Sequence, residues 1–123
     1  MKVENIKFKA KSILDGAWVQ GDLIHKEDGK IAILRNGFNV SEVDPFTVCQ
    51  FTGLKDCEGN EIWEGDIVRD NYDLLCINNL YEVAYIEEEG TFAFKSLDKV
   101  DNYEPFVNLF EAYVVGNKFD KEK

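Results

Sequence analysis

Gln50-Phe51-Thr52-Gly53-Leu54-Lys55-Asp56-Cys57-Glu58-Gly59-Asn60-Glu61-Ile62-Trp63-Glu64-Gly65-Asp66-Ile67-Val68 is the stretch on which the reading of this chain turns. Asp56 to Asn60 is dense in turn formers, and Gly59-Asn60 can supply the positive φ a reversal needs. Ile62 and Trp63 resume an extended run. Gly65-Asp66 makes a second tight turn, and Ile67-Val68 opens another strand. Two turns and three short strands in so few residues describe a small, strongly curved sheet. A Gly-Asp step entering an apolar strand is common in SH3-like barrels.

The flanks carry the same rhythm. Ile6, Phe8 and Ala10 alternate with Lys7, Lys9 and Lys11, the period of a strand with one wet face. Asp15-Gly16 and Asn36-Gly37 are type I′ hairpin signals, and Glu27-Asp28-Gly29 is a further turn. Strands are expected over Trp18–Ile24, Lys30–Leu34, Phe38–Val43 and Val48–Phe51. Pro45 belongs in a connection or at an edge. Gly53, Gly59 and Gly65 read as three separate turns. Residues 71–80 are ambiguous, with a turn at Asn78-Asn79. Tyr81–Ile86 and Thr91–Lys95 pair across Glu87–Gly90, with Tyr85 facing Phe92, Val83 facing Phe94, Glu82 facing Lys95 and Ile86 facing Thr91. Residues 98–110 are the place for a short helix, with Pro105 in its first turn and its body over 104–110. Ala112–Val115 is a buried last strand that Gly116-Asn117 ends. The expectation is a mostly β fold of small twisted sheets or SH3-like barrel type: one domain over residues 1–119 and a charged tail over 120–123.

The run QFTGLKDCEGNEIWEGDIV resembles the signature of the YopX family, a Q-[YF]-T-G-L-x-D-x-x-G-x-x-[IW]-[YFW]-x-G-D-[IV]-V pattern. Ile6–Lys11 is similar to that family's opening strand, and Tyr113–Asn117 (YVVGN) to its closing V-x-G-N element. Cys57 stands where Lys or Asn is more usual, and Cys49 where Gly is common. The resemblance implies a mostly β protein encoded by a bacteriophage or prophage, acting in the cytoplasm of the bacterial host. It implies no catalytic residue.

The 123 residues carry 14 Lys/Arg and 24 Asp/Glu, a net charge of −10. Phosphate backbones are bound chiefly by Lys and Arg, so this balance argues against general nucleic-acid binding and against an anionic membrane surface. No apolar run reaches the ~18 residues of a membrane span, and the N-terminus lacks a signal peptide's apolar centre. Cys49, Cys57 and Cys76 form no metal spacing, and with His25 alone they do not suggest zinc. The reading is therefore cytoplasmic, with reduced thiols.

The crowd of Asp56, Glu58, Asn60, Glu61, Glu64 and Asp66 invites a calcium reading. An EF-hand loop needs Gly at its sixth position and Glu at its twelfth. Counted from Asp56, Gly59 is fourth and Ile67 twelfth, so the pattern fails, and the acids read as turn chemistry and solvation. Trp63 reads as packing in a core or interface. Its alternative is a recognition platform, with Glu61, Trp63, Glu64 and Asp66 as a candidate interaction surface. His25 reads as a surface residue, Cys49 as core, and Cys57 as a thiol held inactive by Asp56 and Glu58. No catalytic set, metal site or cofactor loop is expected. A non-enzymatic accessory protein working through protein–protein contacts follows, with homo-oligomer formation as one route. Two alternatives stay open. One is a nucleic-acid-associated SH3-like module using Lys7, Lys9 and Lys11. The other is an acidic DNA mimic that blocks a host protein.

Overall fold

A computed structural model describes residues 2–70, 80–97, 103–104 and 112–120. The chain forms two compact units, Met1–Gly53 and Leu54–Lys123. Both are built on antiparallel β-structure.

In the first unit a short 3-10 turn (Val3–Asn5) leads into β1 (Phe8–Lys11). Strands β2 (Trp18–His25), β3 (Ile31–Arg35), β4 (Asn39–Glu42) and β5 (Cys49–Lys55) follow. The order of this unit's strands is β4-β3-β2-β1-β5, so β4 is an edge. Ala10, Ile33 and Val43 form the buried centre, with Phe8, Val19, Leu23, Ile31 and Val48 packed against them. Alternation along β1 delivers Phe8 and Ala10 inward as the pattern predicts, while Ile6 precedes the strand and stays exposed. Pro45 opens a second 3-10 turn, Pro45–Thr47, and the Asp44 carboxylate accepts the Phe46 N–H at 3.0 Å.

The hairpins obey backbone chemistry in different ways. Asn36 and Gly37 have φ of 55° and 79°, the positive pair of a type I′ turn, closed by Phe38 N–H to Arg35 C=O at 3.2 Å. At Asp15-Gly16 only the glycine is at positive φ. Asp15 instead accepts the Ala17 N–H at 2.9 Å, an Asx arrangement that replaces the expected type I′ turn. Of the two expected forms, small twisted sheets or a barrel, the first is the one found: the fold is mostly β and the strand order is open. One isolated bridge, Ser12↔Val43, curls the end of β4 back toward β1 without closing a ladder.

In the second unit β6 (Glu61–Trp63) is followed by β7 (Asp66–Asp70), β8 (Leu80–Ile86), β9 (Thr91–Ser96), β10 (Tyr103–Glu104) and β11 (Ala112–Asn117). Five of these strands form a sheet in the order β10-β9-β8-β7-β11. Ile62, Val68, Val83, Phe94 and Ala112 make its core. The β8–β9 register is the expected one throughout: Glu82↔Lys95, Val83↔Phe94, Tyr85↔Phe92 and Ile86↔Thr91. Tyr85 and Phe92 meet edge-on at 5.3 Å.

Three expectations change here. Tyr103–Glu104 is a strand paired with β9, not part of a helix; residues 105–110, where that helix was to continue, lie outside the described residues. The Asn78-Asn79 turn and Cys76 lie outside them too. Gly53 sits inside β5 at φ 86°, not in a turn, and β11 runs on through Gly116-Asn117. A register shift between Val114 and Gly116 makes that continuation possible: Val115 is the extra residue of a bulge.

Candidate functional site

Within the second unit, the signature stretch is organised by two aspartates. Asp56 begins the turn after β5. Its Oδ1 accepts the N–H groups of Glu58 (2.9 Å) and Asn60 (2.8 Å), and its Oδ2 accepts Val114 N–H (2.8 Å) and Asn60 Nδ2 (3.3 Å). One carboxylate thus shapes a turn and ties it to β11. Cys57 N–H adds a bond to Ala112 C=O at 3.2 Å. Burial pushes the Asp56 carboxyl up, but the bonds from Val114, Asn60 and Glu58 pull it down further, and it stays below the ordinary carboxylate value.

Asp66 closes the second turn. It is 2% exposed. Its Oδ2 accepts Trp63 N–H at 2.7 Å and its Oδ1 accepts Asn117 Nδ2 at 2.9 Å. Gly65, at φ 84°, donates to Val83 C=O and accepts from Lys118 N–H. Asn117 Oδ1 in turn accepts Phe119 N–H at 2.9 Å, and the Asp120 carboxylate accepts Asn117 N–H at 2.9 Å. The signature and the closing YVVGN element are therefore two halves of one hydrogen-bonded assembly. A family model described as YopX protein matches residues 2–122. The chain belongs to the YopX family. No curated protein matches it.

The expected interaction surface of this YopX protein is rearranged by these bonds. Trp63 is 5% exposed and buried like Asp66, whereas Glu61 and Glu64 are half-buried. Two of the four residues thus face inward, and for Trp63 this is the packing role that the sequence favoured. Asp56 and Asp66 are buried too, so solvation is the wrong account of them; turn chemistry is the right one. Asn117 was missed as the partner of Asp66. Its only signal was its place at the end of the closing motif, because sequence does not show which distant strand it meets. Cys49 is buried as read, Cys57 is exposed, and His25 is exposed.

In the first unit, Lys7, Lys9 and Lys11 form the row expected from alternation, but they lie over aromatic rings. Lys7 Nζ is 4.8 Å from the Phe51 ring centre, and Lys9 and Lys11 are 4.7 and 5.2 Å from that of Trp18. Each contact is worth about 0.5–1 kcal/mol at a partly exposed site. No helix among the described residues is long and apolar enough to cross a membrane.

Proposed function

We propose that this YopX protein is a phage or prophage accessory protein that works through contacts with other proteins and not by catalysis. One observation carries the reading: two carboxylates of its signature, Asp56 and Asp66, are turned into the fold. Asp56 and Asp66 accept backbone N–H groups on both carboxylate oxygens or in concert with Asn117. A carboxylate held this way sets backbone geometry and has little freedom to shuttle protons. Large apolar side chains stand outward in the first unit, among them Leu14 (93% exposed), Phe46 (86%) and Phe38 (77%). Apolar anchors of this kind are what protein interfaces bury.

The test is native purification of the tagged full chain from host cells during phage growth, followed by reconstitution from purified components. A protein that re-forms a complex of fixed stoichiometry is expected. Recovery of nucleic acid alone, lost on nuclease treatment, would overturn the reading.

The charge distribution keeps a second reading in view. Residues 1–53 hold seven Lys/Arg and seven Asp/Glu, and residues 54–123 hold seven and seventeen. The unit bearing the Lys–aromatic row is thus neutral, so the overall charge is a weaker argument against nucleic acid there. Binding of a single-stranded oligonucleotide that weakens steeply with salt, and weakens again in Lys9→Gln, would favour this reading.

A further inference from the structure

Among the described residues β4 is an edge strand, and its backbone presents that edge in a pattern that fits itself. Val43 N–H bonds Ile31 C=O at 3.0 Å, so the odd-numbered residues of this strand point their peptide groups toward β3. The even-numbered residues point outward. Glu42 C=O accepts Ile13 N–H at 3.2 Å on that side, and Asp44 N–H donates to Lys11 C=O at 2.9 Å. Beyond that covered end the edge offers Val40 N–H and C=O and Phe38 C=O. Phe38 N–H is already taken by Arg35 C=O.

We infer that β4 pairs with β4 of a second copy of this chain, antiparallel about a two-fold axis at Asn39. In this register Val40 N–H of each copy donates to Phe38 C=O of the other. Phe38 of each copy also lies across from Val40 of the other. These side chains are 77% and 56% exposed, and an aromatic facing a β-branched residue is a favourable cross-strand pair. Neighbouring registers fail. One centred on Val40 brings the partner's Phe38 onto Glu42, whose carbonyl Ile13 already occupies. One centred on Phe38 requires the N–H that Arg35 holds.

Charge selects a second copy as the occupant. The whole chain is at −10, so two copies approach most easily through a surface without acids. Asn36-Gly37-Phe38-Asn39-Val40-Ser41 contains no charged residue and belongs to the neutral unit. It also has no Lys or Pro, the residues that usually guard an edge against pairing. The inference rests on the reading of this protein as one that acts through protein contacts.

The experiment is light scattering on the full chain at high micromolar concentration, with Val40→Lys, Phe38→Asp and Asn39→Cys variants. Twice the chain mass is expected for the wild type, and the single mass for Phe38→Asp and Val40→Lys with unchanged circular dichroism. Phe38 is so exposed that its substitution spares the fold. Asn39 faces its own copy at a non-hydrogen-bonded position, where Cα atoms approach to about 4.5 Å. Asn39→Cys in a Cys57→Ser/Cys76→Ser background is therefore expected to form a covalent dimer on mild oxidation, unlike its parent. A monomeric wild type overturns the inference and leaves the partner reading to its own reconstitution test. A dimer that survives both substitutions and does not cross-link through position 39 overturns it too. A monomer that needs Val40 to hold a foreign protein would assign the edge to that protein instead.

Discussion

Asp66 and Asn117 are 51 positions apart, yet their side chains share one bond of 2.9 Å. Removing the carboxylate in Asp66→Ala takes the 2.7 Å acceptor from Trp63 N–H and the 2.9 Å acceptor from Asn117 Nδ2, which keeps a longer bond of 3.4 Å to Glu64 C=O, where water has little access. A buried donor left without its acceptor costs about 1–3 kcal/mol. The substitution should lower unfolding free energy by about 3 kcal/mol in a urea titration, and a loss below half a unit would show that the node is dispensable. Asp56 makes a different prediction because its protonation is linked to folding. Its folded pKa lies below the ordinary value, so its contribution is present above the unfolded carboxylate range. It is lost as pH falls through the folded value. Asp56→Asn should cost about 2 kcal/mol at neutral pH. The gap between variant and wild type should begin to narrow as pH falls below about 4 and close once pH is below the folded value. A gap constant down to pH 2 would mean that packing, not charge, is what Asp56 provides.

At the scale of elements, legibility followed the range of the forces involved. The β8–β9 hairpin was readable because one register brought Val83 to Phe94 and Glu82 to Lys95 together. The turn at Asn36-Gly37 was readable because few residue pairs tolerate two positive φ angles. The bulge at Val115 was not, since nothing local announces an extra residue; the strand continues because Asn117 has a distant partner to reach. The Gln50–Val68 stretch was legible as turns but not as half of an assembly, for the same reason. Gly21 is the clearest hidden constraint. It sits within β2, and a Cβ there would lie 2.1 Å from the Leu34 carbonyl oxygen of the neighbouring strand. Backbone cannot yield as a flexible side chain can, so Gly21→Ala should destabilise by about 3 kcal/mol. Gly37→Ala makes a useful contrast. No atom lies within 4 Å of a Cβ at Gly37, and only its φ of 79° resists, at about 1–2 kcal/mol. Thermal melts that ranked the two in the opposite order would show that β2 and β3 separate easily at Gly21.

The whole molecule is electrostatically divided. With seven basic and seven acidic residues before Leu54, and seven and seventeen from there on, the entire net charge of −10 arises in the second unit. Like charges held in a compact body repel, and that repulsion opposes folding. Part of it is offset locally, as where Lys118 meets Glu82 at 3.2 Å, but exposed pairs of this kind contribute little. The run Glu87-Glu88-Glu89, exposed at the β8–β9 turn, makes no ion pair among the described residues. Salt should therefore act on the two units unequally. Raising ionic strength from 0.01 to 1 M shortens the screening length from about 30 to about 3 Å. Amide hydrogen exchange on the intact chain should then slow in residues 54–123, with a gain on the order of 1 kcal/mol in opening free energy. Residues 1–53 should change much less, because their attractions and repulsions are screened alike. If both halves gained equally, the effect would be salting-out of apolar surface and not relief of repulsion. If the first half gained more, the acidic unit would have to be stabilised by ion pairs that outweigh its excess of carboxylates.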